Sequence, residues 1–331
     1  MNRDEREGMT GEAGGRRGHR KNTKWIGILL MLLSFGFILR EILRMDISSL
    51  RIEHPLRAAV LIPAFTILTV GSIILAVLAW RNILSAIHGE RIGFAEVFKV
   101  YVKANVAKYL PGNVLHYAGR NMLGSRLGWK HGDILLSSML EVLMILLSAA
   151  VFLILFAYPQ FVDVVADAIR NAASHPIIPI GIAVAVLAVI AGILLLLRKR
   201  RDLLDKLKLL FTPQFLKVLI RNFFLYTGTF LIQGIVMAFL FYSVFQTGGM
   251  EEMLLVISSA VLSWFAGFIT PGAPGGLGVK EAVLLWMLSP VHGREVTLAA
   301  ALMHRLISVL ADVAAFGVGL IMEKRKKGIK E

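Results

Sequence analysis

Two short stretches of the chain bring together the residue types that bind an anion. The first runs Lys108-Tyr-Leu-Pro-Gly-Asn-Val-Leu-His-Tyr-Ala-Gly-Arg120. A helix starting after Pro111-Gly112 would aim free backbone N–H groups at the tip of the break, and such an end attracts phosphate or carboxylate. Asn113 and His116 add hydrogen-bonding side chains, and Lys108 and Arg120 add full charges. Arginine grips a phosphate with two parallel hydrogen bonds, whereas lysine acts as a point charge. The second stretch is Pro271-Gly-Ala-Pro-Gly-Gly-Leu-Gly278, followed by Lys280-Glu281. Its glycines, with Gly275, Gly276 and Gly278 clustered behind Pro274, let a ligand or another backbone come close. The spacing is not that of an ATP-binding G-x-x-x-x-G-K-[ST] loop. Each stretch also has a plainer reading. The first can be a cytoplasmic loop whose cations only orient the chain, and the second a tight turn between half-helices.

A further set of charges lies inside apolar runs. A charge at the centre of a bilayer costs about 2.5–3.5 kcal/mol on insertion scales, so Glu141, Arg305 and Asp312 are functional candidates by position. Glu141 and Arg305 are expected to pair at the midplane, either as a structural lock or as part of a gate. Glu141, Glu281 and Asp312 are the candidate proton carriers. No enzyme signature accompanies these groups. Asp163 with Asp167 and Asp202 with Asp205 do not form a D-x-D pair, and no H-E-x-x-H occurs. The chain holds no cysteine, which removes disulfides and thiolate metal sites. No catalytic residue, metal or cofactor is expected, and His304 reads as a packed interface histidine.

The elements that position these residues are membrane helices. The 331 residues are 56% hydrophobic and only 18% charged, yet the formal net charge is +14. Soluble domains run about 45–50% apolar and about 25% charged. Charge-free stretches at 58–80, 177–197, 222–250 and 253–279 are each long enough to cross a bilayer, for which about 20 apolar residues suffice. An all-α polytopic protein is predicted, with full spans at 25–43, 58–80, 134–157, 177–197, 221–245 and 297–322. Two interrupted regions, 92–123 and 252–290, read as re-entrant pairs of broken helices. Irregular backbone at membrane depth is tolerated only where protein or a water-filled cavity surrounds it. Residues 1–24 read as a disordered basic arm and 323–331 as a basic tail. Cations gather in 1–24, 81–132, 198–221 and 323–331, which together hold 28 of the 36. Lys and Arg stay on the cytoplasmic side, so both termini are expected there, in the inner or plasma membrane.

The two breaks lie 160 residues apart, and a cation follows each proline by nine positions, Arg120 and Lys280. The flanking spans recur in the same order. The transmembrane domain, 25–322, therefore reads as two halves, about 25–157 and 177–322. An odd number of crossings per half makes them inverted repeats. Interrupted segments at corresponding places in two halves point to a transporter's binding site.

The stretches 108–120 and 271–281, with Glu141 and Ala300-Ala-Leu-Met-His-Arg305, resemble the transmembrane domain of the lysylphosphatidylglycerol synthase/flippase family. The resemblance covers roughly 25–322. It implies a lipid flippase-like domain with these polar positions near a headgroup path. Synthase members append a soluble aminoacyl-transferase domain, whereas this chain ends at Glu331, so aminoacyl-lipid synthesis is not expected of it. The predicted function is translocation of a phosphate-bearing lipid, an anionic phospholipid or a polyprenyl phosphate. The alternatives are a membrane enzyme or accessory subunit acting on polyprenyl-phosphate lipid, and a small-solute or ion transporter. Membrane lipids are the expected partners and nucleic acid is not; a homo-oligomer is compatible with the sequence.

Overall fold

The computed structural model describes residues 55–109, 115–156, 209–270, 274–276 and 278–328. The expected arm 1–24, the spans at 25–43 and 177–197, and Pro111, Gly112, Asn113 and Pro271 lie outside these residues. The described residues form eight α-helices and no strand. They are α1 (Pro55–His88), α2 (Phe94–Asn105), α3 (Leu115–Ser125), α4 (His131–Phe156), α5 (Pro213–Phe239), α6 (Met253–Ile269), α7 (Val279–His292) and α8 (Arg294–Gly328). The all-α polytopic fold expected from the sequence is the one observed. Four segments are long and apolar enough to cross a membrane: Leu56–His88, His131–Phe156, Pro213–Val244 and Arg294–Lys324. They match the expected spans at 58–80, 134–157, 221–245 and 297–322. The last runs further than expected, because α8 continues through Lys324 and takes the start of the basic tail into its final turns.

The order long, short, short, long occurs twice, as α1–α4 and as α5–α8. Local chemistry sets the boundaries. Thr212 caps α5 by accepting the Phe215 N–H at 3.3 Å, with Pro213 at the first helical position. The long helix α5 ends in a π-turn over Leu240–Val244. Gly293, at φ +79°, turns the chain between α7 and α8 in a conformation only glycine adopts freely.

Helices α1 and α5 pack along each other at the centre, α4 packs on α5, and α8 packs on α1. Each short pair closes on itself, α2 with α3 and α6 with α7. Each pair also meets the last helix of the opposite half, α2 on α8 and α6 on α4. Exchanging the halves therefore maps these contacts onto one another. Polar side chains tie the central crossing: Asn82 donates to Asn222 at 3.0 Å, and Asn222 donates to the Ala79 carbonyl at 3.0 Å. Such interhelical bonds have few competitors in a medium without water. The large exposed side chains on the long helices are apolar and fall in stripes. Examples are Leu135, Met139, Leu143 and Leu147 on α4 and Leu216, Ile220 and Phe224 on α5. Steps of four residues keep such a stripe on one helix face, here the face turned outward to lipid.

Candidate functional site

A cavity of about 320 Å³ lies where the two short pairs approach the long helices. Lys108, His116, Arg120, Glu141, Gly275, Lys280, Glu281 and Arg305 all line it. Residues from both breaks, some 160 positions apart in the chain, thus share one space. Asp312 joins the set through Lys108.

Arg120 is buried on α3 in an aromatic box. Its guanidinium lies 3.8 Å from the Tyr101 ring centroid, 4.9 Å from Trp80 and 5.2 Å from Tyr117. It forms a salt bridge with Glu141 of α4, which is also buried. The Tyr101 hydroxyl donates to the other Glu141 oxygen at 3.4 Å. The expected Glu141–Arg305 contact is therefore not made. Glu141 meets the cation of its own half, because α3 and α4 pack side by side, and Arg305 is held elsewhere.

Arg305 of α8 pairs with Glu281 of α7 at 3.0 Å and reaches the Gly275 carbonyl at 3.5 Å. The second carboxylate oxygen of Glu281 accepts the Gly278 N–H at 2.8 Å. Glu281 thus caps α7 and anchors Arg305 at once. Gly275, Gly276 and Gly278 have φ of +58°, +74° and +80°, the left-handed region that side chains resist. Asp312 accepts from Lys108 at 2.6 Å and from Asn105 at 3.0 Å, which joins the first break to α8.

Lys280 differs from the other cations. Among the described residues no carboxylate lies within ion-pair distance of its ammonium, and it makes no hydrogen bond. Its methylene stem lies in a groove floored by Gly267 and Gly276. A Cβ on Gly267 would stand 2.8 Å from the Lys280 Cγ, and one on Gly276 would stand 2.8 Å from its Cε. Gly267 of α6 and Gly276 of the second break thus leave room for the lysine stem.

Buried polar atoms without a partner accompany this charge: Arg120 Nε, His116 Nδ1, the Tyr226 hydroxyl and Gln233 Oε1, all on residues of the cavity wall. His304 Nε2 donates to the Gln233 carbonyl at 3.2 Å, so this histidine is packed against α5 as expected, yet it also lines the cavity. The remaining wall is apolar and aromatic. Phe230 meets Trp264 edge-on at 4.9 Å, and Trp264 stacks on Phe268 at 5.0 Å. Sequence reasoning missed Gly267, Tyr226 and Gln233. Gly267 left a trace as a glycine within an apolar helix; an uncharged Tyr or Gln in a span carries none.

The fold and cavity define a multi-pass α-helical membrane protein with a charged, half-apolar chamber between two similar halves. Residues 24–315 match the family described as the lysylphosphatidylglycerol synthase TM region, and the chain belongs to that family. This places it among membrane proteins related to lipid handling. Neither the curated proteins nor the solved structures include a match to the chain.

Proposed function

We propose that this protein translocates a phosphate-bearing lipid, an anionic phospholipid or a polyprenyl phosphate, across the cytoplasmic membrane. The observation that carries this reading is Lys280, a cation held by glycines in a cavity with no carboxylate of its own. An anionic headgroup supplies the missing partner, since a buried charge is tolerated when it is paired. The Phe230, Trp264 and Phe268 wall favours an amphiphile over a bare ion, because an apolar wall offers an ion nothing in exchange for its hydration. The unpaired Arg120 Nε and His116 Nδ1 are further contacts for headgroup oxygens.

Transport follows from two halves related by inversion, with the short pairs α2/α3 and α6/α7 re-entering from opposite sides. At about 1.5 Å per residue, α2, α3 and α7 reach only about 16–21 Å, short of the ~30 Å hydrocarbon core. Rocking one half on the other exposes the chamber to each leaflet in turn while the acyl chains stay in lipid. Both termini are cytoplasmic in this arrangement. The test is reconstitution into liposomes with headgroup-labelled anionic lipids that a membrane-impermeant reagent bleaches from outside. The expected result is protein-dependent loss of the inner-leaflet signal that Lys280→Met slows by about tenfold or more, the equivalent of losing ~1.4 kcal/mol. Absence of protein-dependent movement for every anionic lipid tried would overturn the reading.

A further inference from the structure

The two halves treat the same pair of positions differently. Arg120 and Lys280 each stand nine residues after the proline that opens their break. Glu141 and His304 each stand ten residues after the first residue of their half's last helix, counted from His131 and from Arg294. In the first half the pair is a closed salt bridge. In the second it is a lysine and a histidine that line one cavity with no carboxylate between them among the described residues.

We propose that the second half is an open copy of the Arg120–Glu141 pair, in which a singly charged phosphodiester takes the place of the carboxylate and His304 is the residue that keeps that place free. The proposal rests on the reading of the chamber as a headgroup site, and adds the charge the site accepts, which selects a phosphodiester phospholipid over the monoester polyprenyl phosphate, and the side chain that sets it. Four cations surround the chamber: Lys108, Arg120, Lys280 and Arg305. Among the described residues, Asp312, Glu141 and Glu281 each bond one of them, and only Lys280 remains. One negative charge completes the set. A phosphomonoester carries about −1.5 to −2 at neutral pH, and its surplus would meet no partner there. His304 commits Nε2–H to the Gln233 carbonyl. A neutral imidazole with one nitrogen donating presents its other nitrogen as an acceptor, so it offers no second donor to a doubly charged oxygen group.

The experiment uses the full purified chain in detergent, with Trp264 in the cavity wall as the fluorescent reporter. The probes are short-chain phosphatidylmethanol, a diester, and phosphatidic acid, a monoester, compared at pH 7. The wild type is expected to bind the diester about fivefold or more tighter than the monoester, a difference of roughly 1 kcal/mol. His304→Glu should weaken diester binding by about tenfold or more, to the level of Lys280→Met, whereas His304→Gln should stay within about threefold. Wild-type affinity in His304→Glu, or a monoester bound as tightly as the diester, would overturn the proposal while leaving the headgroup site standing. Binding of neither lipid by the wild type would remove the headgroup site and this inference together. Should His304→Glu not elute as a folded species, the wild-type diester-to-monoester ratio decides the matter alone.

Discussion

The salt bridge of Arg120 and Glu141 is the most enclosed charge pair among the described residues, sealed by Trp80, Tyr101 and Tyr117. Removing one partner of such a pair leaves an uncompensated buried charge, which costs about 3–5 kcal/mol. Glu141→Gln is therefore expected to lower the midpoint of thermal unfolding in detergent by many degrees. The double variant Arg120→Met with Glu141→Met should recover a large part of that loss. If the double variant is no more stable than Glu141→Gln, the pair does not hold α3 to α4 through its charge. Both residues stood out in the sequence, Arg120 by its place after a Pro-Gly break and Glu141 by its place in an apolar run. Their partnership did not. Which faces of two helices meet is decided by how α3 lies along α4, and spacing along the chain does not encode that. The same reasoning explains why Arg305 found Glu281 rather than Glu141.

At the scale of elements, the seam between α2 and α8 joins the two halves through polar and small residues. Lys103 pairs with Glu323, Lys108 and Asn105 bind Asp312, and Gly319 lets α8 approach Val102 closely. A Cβ at Gly319 would lie 2.8 Å from a Val102 methyl carbon. Gly319→Leu should force the helices apart at a cost of about 1–3 kcal/mol, the range for overpacking a tight contact. Chemical denaturation in detergent, followed by tryptophan fluorescence, measures it; unchanged stability would mean the seam yields without strain. The long helices were legible in the sequence because a predominantly apolar run of about 20 residues has one stable form in a bilayer. The short pairs were legible as breaks, through proline and glycine. The seam was not, since its residues are ordinary ones whose value lies in what faces them.

At the scale of the molecule, the double occurrence of long, short, short, long fits the repeat suggested by the prolines 160 residues apart. The proposed inversion of the halves makes a sharp prediction about sidedness. The loop between α1 and α2 and the loop between α5 and α6 occupy corresponding places and, on that proposal, lie on opposite faces. The chain contains no cysteine, so Glu90→Cys and Gly249→Cys each create a single labelling site on an exposed residue. An impermeant maleimide applied to right-side-out and inside-out vesicles should label one variant from the cytoplasmic face and the other from the outer face. Labelling of both from one face would exclude the inverted arrangement.

Composition and hydropathy alone determined that this chain is a polytopic helical membrane protein, because transfer of apolar residues to lipid depends on residue type and run length. The positions of the two breaks followed from proline and glycine, whose backbone limits are local. Tertiary structure alone decided the electrostatics of the chamber: among the described residues, which three carboxylates pair with which three cations, and that Lys280 is left over. Ion pairing falls off within a few ångströms, so it depends on the packing of helices far apart in the chain and not on the order of their residues.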